Sequence, residues 1–140
     1  MLRKQTDDKN PADWFAFAEE RLHAADVLWK HEGLTASGIE MLQEAVERYL
    51  KGYLIAKGWT LIKTHDLERL LKEAAGFDQT FAQFQSLAEE LTEDYFAQHY
   101  PGENTTFLGQ DYETLRQQAG QLIGHIQTSL PQYFHGPSAR

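Results

Sequence analysis

Two stretches of the chain hold the residue types that could do chemistry. The first is Glu47-Arg48-Tyr49-Leu50-Lys51-Gly52-Tyr53, the second His65-Asp66-Leu67, and a third candidate, His99-Tyr100-Pro101-Gly102, lies further on. Lys51 follows Glu47 by four residues. On a helix this spacing makes a plain ion pair on a solvated face, worth about 0.2–0.5 kcal/mol. The sharper reading has Glu47, Arg48 and Lys51 lining a groove for a phosphate-bearing ligand or a partner surface, with Tyr49 and Tyr53 beside them to stack a base. His65 either fixes a turn through a backbone hydrogen bond or offers a neutral imidazole to the same groove near pH 7. His99 and Tyr100 end a helix, where a cation interacts favourably with the dipole; the alternative is that they contact a nucleotide beside the Pro-Gly loop.

Other chemistries lack their residues. The chain has no cysteine, so thiolate metal ligation, disulfides and cysteine nucleophiles are excluded. No two histidines stand three or four apart and Glu-x-x-His occurs only once, at Glu20 to His23, with no second copy to form a cluster, so a metal centre and di-iron bundle chemistry have no ligand set. None of Ser37, Ser86 and Ser129 sits in a strand–elbow–helix context that would make it a hydrolase nucleophile. Thirteen Lys and Arg against twenty-one Asp and Glu give a net charge of -8, which argues against a generic nucleic-acid coat protein.

The elements that must position these residues read as helices throughout. Asn10-Pro11-Ala12-Asp13 has the order of a helix start, cap, proline and acid. Trp14, Phe15, Ala18, Leu22, Ala25, Leu28 and Trp29 then recur at three- and four-residue steps until Gly33. Ser37 to Glu40 matches a capping box and opens a second helix with Ile39, Leu42, Val46, Tyr49, Leu50, Tyr53 and Leu54 on its stripe, closing at Gly58. Thr64 or Asp66 caps a short third helix that ends at Gly76. A fourth starts at Asp78 or Thr80 and runs to Tyr100-Pro101-Gly102; a fifth carries Tyr112, Leu115, Ala119, Leu122 and Ile126.

No segment alternates with period two, so the expectation is an all-α chain: one domain over residues 11–130, an antiparallel up-and-down bundle of four long helices plus one short helix, with residues 1–10 and 131–140 as flexible termini. Trp14, Trp29 and Trp59 read as packing anchors. The polar start and the lack of a long apolar run give no signal peptide or membrane anchor, and the expected address is the cytoplasm.

The segment Gln43 to Gly58 followed by His65-Asp66-Leu67 resembles the HEPN domain, named for higher eukaryotes and prokaryotes nucleotide-binding, and the resemblance extends over about residues 11 to 130. It implies a dimeric bundle of four to five helices, often paired with a minimal nucleotidyltransferase in toxin–antitoxin or related modules. Many HEPN proteins are metal-independent ribonucleases that use an Arg followed by a His with four to six residues between them. None of the six histidines here has an arginine in that window. At His99 the window holds Thr92, Glu93 and Asp94, two of them acids that repel RNA phosphates. In toxin-like relatives a tyrosine near this element is a target of nucleotide transfer, a role that falls on Tyr100.

The expectation is therefore a non-catalytic homodimer that needs no cofactor. It would serve as partner of a minimal nucleotidyltransferase and bind an ATP-like nucleotide through Glu47, Arg48, Lys51, Tyr49, Tyr53, His65, His99 and Tyr100. Two alternatives stay open: a metal-independent ribonuclease with a rearranged site that acts on RNA, and a plain dimeric interaction module.

Overall fold

The structure, a computed structural model, describes residues 5–99 and 109–134, apart from the side chains of 94–99 and 109–110. The order is α1 Pro11–Glu32, α2 Ala36–Ala56, α3 Leu67–Phe77, a 3₁₀ helix Gln79–Phe84, α4 Gln85–His99, α5 Gly109–Ser129 and a 3₁₀ turn Pro131–Tyr133. Among the described residues there is no strand, and the all-α expectation holds. No helix among them is long and apolar enough to cross a membrane.

Local chemistry explains most of the boundaries. The Asn10 side chain accepts from the Ala12 N–H at 3.0 Å, and Pro11, which has no N–H to satisfy, opens α1. The cap of α2 is Thr35, not Ser37: extended backbone at Thr35 lets its hydroxyl take the Gly38 N–H at 2.9 Å, while Ser37 lies inside the first turn. Gly58, at φ +88°, closes the other end of α2. Its N–H reaches Ile55 O at 3.0 Å and the Trp59 N–H reaches Leu54 O at 2.9 Å, the pairing of a Schellman motif.

Asp66 caps α3 by accepting from the Glu68 and Arg69 N–H groups. Gly76 does not end that helix. It has no positive φ, and the chain continues helically until the Asp78 N–H closes on Ala74 O. The fourth helix departs from its expected start as well, because Asp78 and Thr80 open a 3₁₀ segment. Phe81 and Phe84, three residues apart, share one side at that period, and both are buried.

Packing centres on α2, which contacts all four other α-helices. It runs antiparallel to α1, with Phe15 against Tyr49 and Arg21 against Glu44. α5 runs antiparallel to α1 in turn, with Trp29 stacked on Tyr112 at 4.9 Å and Asp26 gripped by Arg116 through two bonds of 2.7 and 3.0 Å. Leu42, Leu50, Leu54, Leu70, Phe81, Leu91 and Ile126 are among the side chains sealed inside, and burying each contributes about 1.5–3 kcal/mol.

The described parts of both termini make contacts with the body of the chain. The Trp14 Nε1–H donates to Asp8 O at 2.8 Å, and the Asp7 N–H to Asp13 Oδ2 at 2.9 Å. At the other end the rings of Tyr133 and Phe134 lie 5.7 and 4.7 Å from Phe15. Aromatic side chains too large to leave in water give these short segments a reason to dock.

Candidate functional site

Gln43, Glu47 and Lys51 stand four residues apart and form one polar row along α2. The row is not solvated, because α2 has neighbours all round. Gln43, Glu47 and Lys51 retain only 5%, 2% and 5% of their exposure. The solvated-face ion pair is therefore corrected to a buried one: Lys51 Nζ donates to Glu47 Oε2 at 2.8 Å, and its ammonium sits 5.5 Å over the Trp14 ring. Removing two charges from water is costly, and close contact with the carboxylate together with the indole face offsets that cost.

The other carboxylate oxygen, Glu47 Oε1, lies 2.9 Å from His65 Nδ1. An ionised carboxylate only accepts, so Nδ1 carries the proton and, in the neutral ring, Nε2 carries the lone pair. The Gln43 side-chain amide donates to the His65 backbone oxygen at 3.3 Å, and Asp66 caps α3 immediately afterwards, so the connector is held on both sides of the histidine. The imidazole itself is 86% exposed. An outward-facing ring is thus backed by a carboxylate that is itself locked by a buried ammonium. This arrangement can orient a proton acceptor or a nucleophile.

The remaining candidates fall elsewhere. Arg48 turns away from Lys51 and binds Glu44 through its side chain at 3.2 Å and its backbone oxygen at 3.4 Å, in a ladder completed by Arg21. Tyr49 and Tyr53, expected to stack a base in the same groove as Lys51, are core residues at 1% exposure each. The Tyr49 hydroxyl donates to Glu19, and the Tyr53 ring packs 4.6 Å from Phe81. The reason is angular: two residues along a helix turn about 200°, so the Tyr49–Tyr53 line faces about 160° away from the Glu47–Lys51 line. Burial raises the Tyr53 phenol above its ordinary value, with Asp78 adding to the effect. His99 is the last residue of α4, with its side chain outside the described residues, and Tyr100 lies outside them altogether.

Two members of the cluster were missed by sequence reasoning. Gln43 was detectable as the first member of the four-residue polar row, whereas Trp14, read as a packing anchor, could be placed over Lys51 only once α1 and α2 were paired. A second histidine cluster joins α5 to the start of the 3₁₀ segment. His125 Nε2 lies 3.1 Å from Asp78 Oδ2 and 2.9 Å from Thr80 Oγ1, and the ring meets Phe81 edge-on at 4.8 Å. Thr80 first, through both its hydroxyl and its N–H, and then His125 hold the Asp78 carboxyl below its usual range. Among the described residues no three His, Asp or Glu side chains gather as a metal set.

No curated protein and no solved structure matched the chain. The family model described as HEPN domain does match, over residues 12–128, which takes in nearly all of α1, all of α2, the Glu47–Lys51–His65 cluster and nearly all of α5. With that span and the second-helix and His-Asp-Leu motifs both inside it, the chain belongs to the HEPN domain family.

Proposed function

We propose that the protein is a non-catalytic HEPN subunit: an antiparallel bundle of four long helices and one short one that forms a homodimer and binds a nucleotide, or a nucleotide-bearing group, as the partner of a minimal nucleotidyltransferase in a toxin–antitoxin-like module. The observation that carries the reading is a family match over residues 12–128 in a chain whose six histidines all lack an arginine at the spacing family ribonucleases use. The geometry of the cluster supports it. The buried cation beside His65, Lys51, is already balanced by Glu47 and covered by Trp14, so it is not free to grip a scissile phosphate. Binding would fall to His65 and the connector around it. Co-purification with a minimal nucleotidyltransferase, and calorimetry with ATP, test the reading; a protein that binds neither refutes it.

One observation favours a second reading. The exposed, carboxylate-backed imidazole of His65 is a general base in waiting, as a rearranged ribonuclease requires. Incubation with total RNA, in parallel with His65→Ala and His99→Ala, separates the two: cleavage that disappears with either variant supports the enzyme, and intact RNA removes it.

A further inference from the structure

We propose that His65 is a phosphoryl-acceptor residue, its Nε2 forming a covalent P–N bond with an anionic phosphoryl donor that carries a good leaving group. Three observations lead there. The ring is 86% exposed, yet its Nδ1 is fixed 2.9 Å from Glu47, leaving Nε2 as the outward nitrogen. Glu47 cannot swing away, because Lys51 holds its other oxygen at 2.8 Å in a buried pair roofed by Trp14. From Arg48 to His65 the chain has no Asp or Glu; Arg48 and Lys51 are paired with Glu44 and Glu47, which leaves Lys57 and Lys63 as its exposed cations, in a protein whose net charge is -8. Those two exposed ammonium groups attract an anionic electrophile.

The other described histidines lack this combination. His23 and His31 are exposed on α1 with no carboxylate among the described residues hydrogen-bonded to the ring, and the Nε2 of His125 is taken up by Asp78 and Thr80. The nucleophile, an orienting carboxylate and a third group that holds the carboxylate follow the general logic of activated nucleophiles.

In the step, the Nε2 lone pair attacks phosphorus and the P–N bond forms. The bond from phosphorus to the leaving group breaks, and that group, the amine of a phosphoramidate or the carboxylate of an acyl phosphate, departs with the electron pair. The ring becomes cationic, its Nδ1 proton stays in the hydrogen bond to Glu47, and the carboxylate offsets the new charge. No oxidant or metal enters the balance.

The experiment treats the full-length protein with phosphoramidate and maps adducts by tandem mass spectrometry. His23 and His31 serve as internal controls for an exposed imidazole whose ring is not hydrogen-bonded to a carboxylate. The expected result is an acid-labile, alkali-stable phosphoryl group on His65 that forms at least about tenfold faster than on either control. His65→Ala loses it, and Glu47→Gln slows it by about tenfold while keeping its helical circular dichroism. Equal labelling of the three histidines overturns the proposal, as does unchanged His65 labelling in a folded Glu47→Gln. Nitrogen NMR of the unaltered protein gives a check that needs no variant: a neutral His65 protonated on Nε2 overturns it too.

Discussion

Replacing Lys51 with methionine keeps the side-chain length and removes the charge, and the structure sets the size of the response. Glu47 keeps 3% of its side-chain exposure and loses its 2.8 Å partner. At an effective dielectric of about 20, two unit charges about 4 Å apart attract by about 4 kcal/mol. Measured losses on removing one member of a buried pair run about 3–5 kcal/mol, because the survivor is left uncompensated. Against a total stability of about 5–15 kcal/mol, Lys51→Met should lose a large share. The double variant Glu47→Gln/Lys51→Met removes both charges and should return to within about 1 kcal/mol of the parent. Urea unfolding followed by circular dichroism reads all three proteins, provided the slope stays constant. A loss near the roughly 0.2–0.5 kcal/mol of an exposed i,i+4 pair would refute the burial argument, and additive losses in the double variant would refute the coupling.

Further outcomes can be checked by similar means. Gly52→Ala should destabilise: the new Cβ would lie 2.5, 2.8 and 3.0 Å from three Phe15 ring carbons, and overpacking of about 1–3 kcal/mol should outweigh about 1 kcal/mol of gained helix propensity; an unfolding midpoint above the parent's contradicts this. Tyr112→Phe should leave stability unchanged or raise it by up to about 1 kcal/mol, since the hydroxyl is buried without a partner; a loss above 1 kcal/mol would reveal a bond not accounted for. Burial foremost, then Asp26, pushes the Tyr112 phenol up to about 12 from a usual 10. A pKa raised on folding gives stability that is full below the unfolded value, so melts should weaken as pH climbs from 10 towards 12, and less so in Tyr112→Phe. Asp78 shifts the other way. Its contribution is present above its ordinary value of 3.8 and fades as acid carries the pH below it, and Asp78→Asn should flatten that limb of the stability profile.

Much of the helical layout was legible in the residues themselves. Asn10-Pro11 marks the start of α1 and Gly58 the end of α2 because the causes are local: a missing donor, a cap, a left-handed turn. Ser37 misled because two adjacent cap candidates, Thr35 and Ser37, differ only in which backbone is extended. Gly76 misled because a glycine terminates a helix only where φ turns positive. The site was half legible. Glu47, Lys51 and His65 do come together, but periodicity alone labels a polar row as solvent-facing, and only the placement of α1 and the connector around α2 shows that this one is covered. Tyr49 and Tyr53 were joined to the wrong side because sequence adjacency was read as adjacency in space.

A helix touched by every other helix also limits how the molecule can respond. Since α2 carries the core on one side and the Gln43–Glu47–Lys51 row on another, sliding or tilting it would break the Arg21–Glu44 ion pair to α1 and several sealed contacts at once. It acts as the fixed axle of the assembly, and its amides should be the last to exchange with solvent. The connector from Lys57 to Asp66 is fastened to that same axle through Gln43 and Glu47, so His65 is carried on the part of the molecule least able to shift.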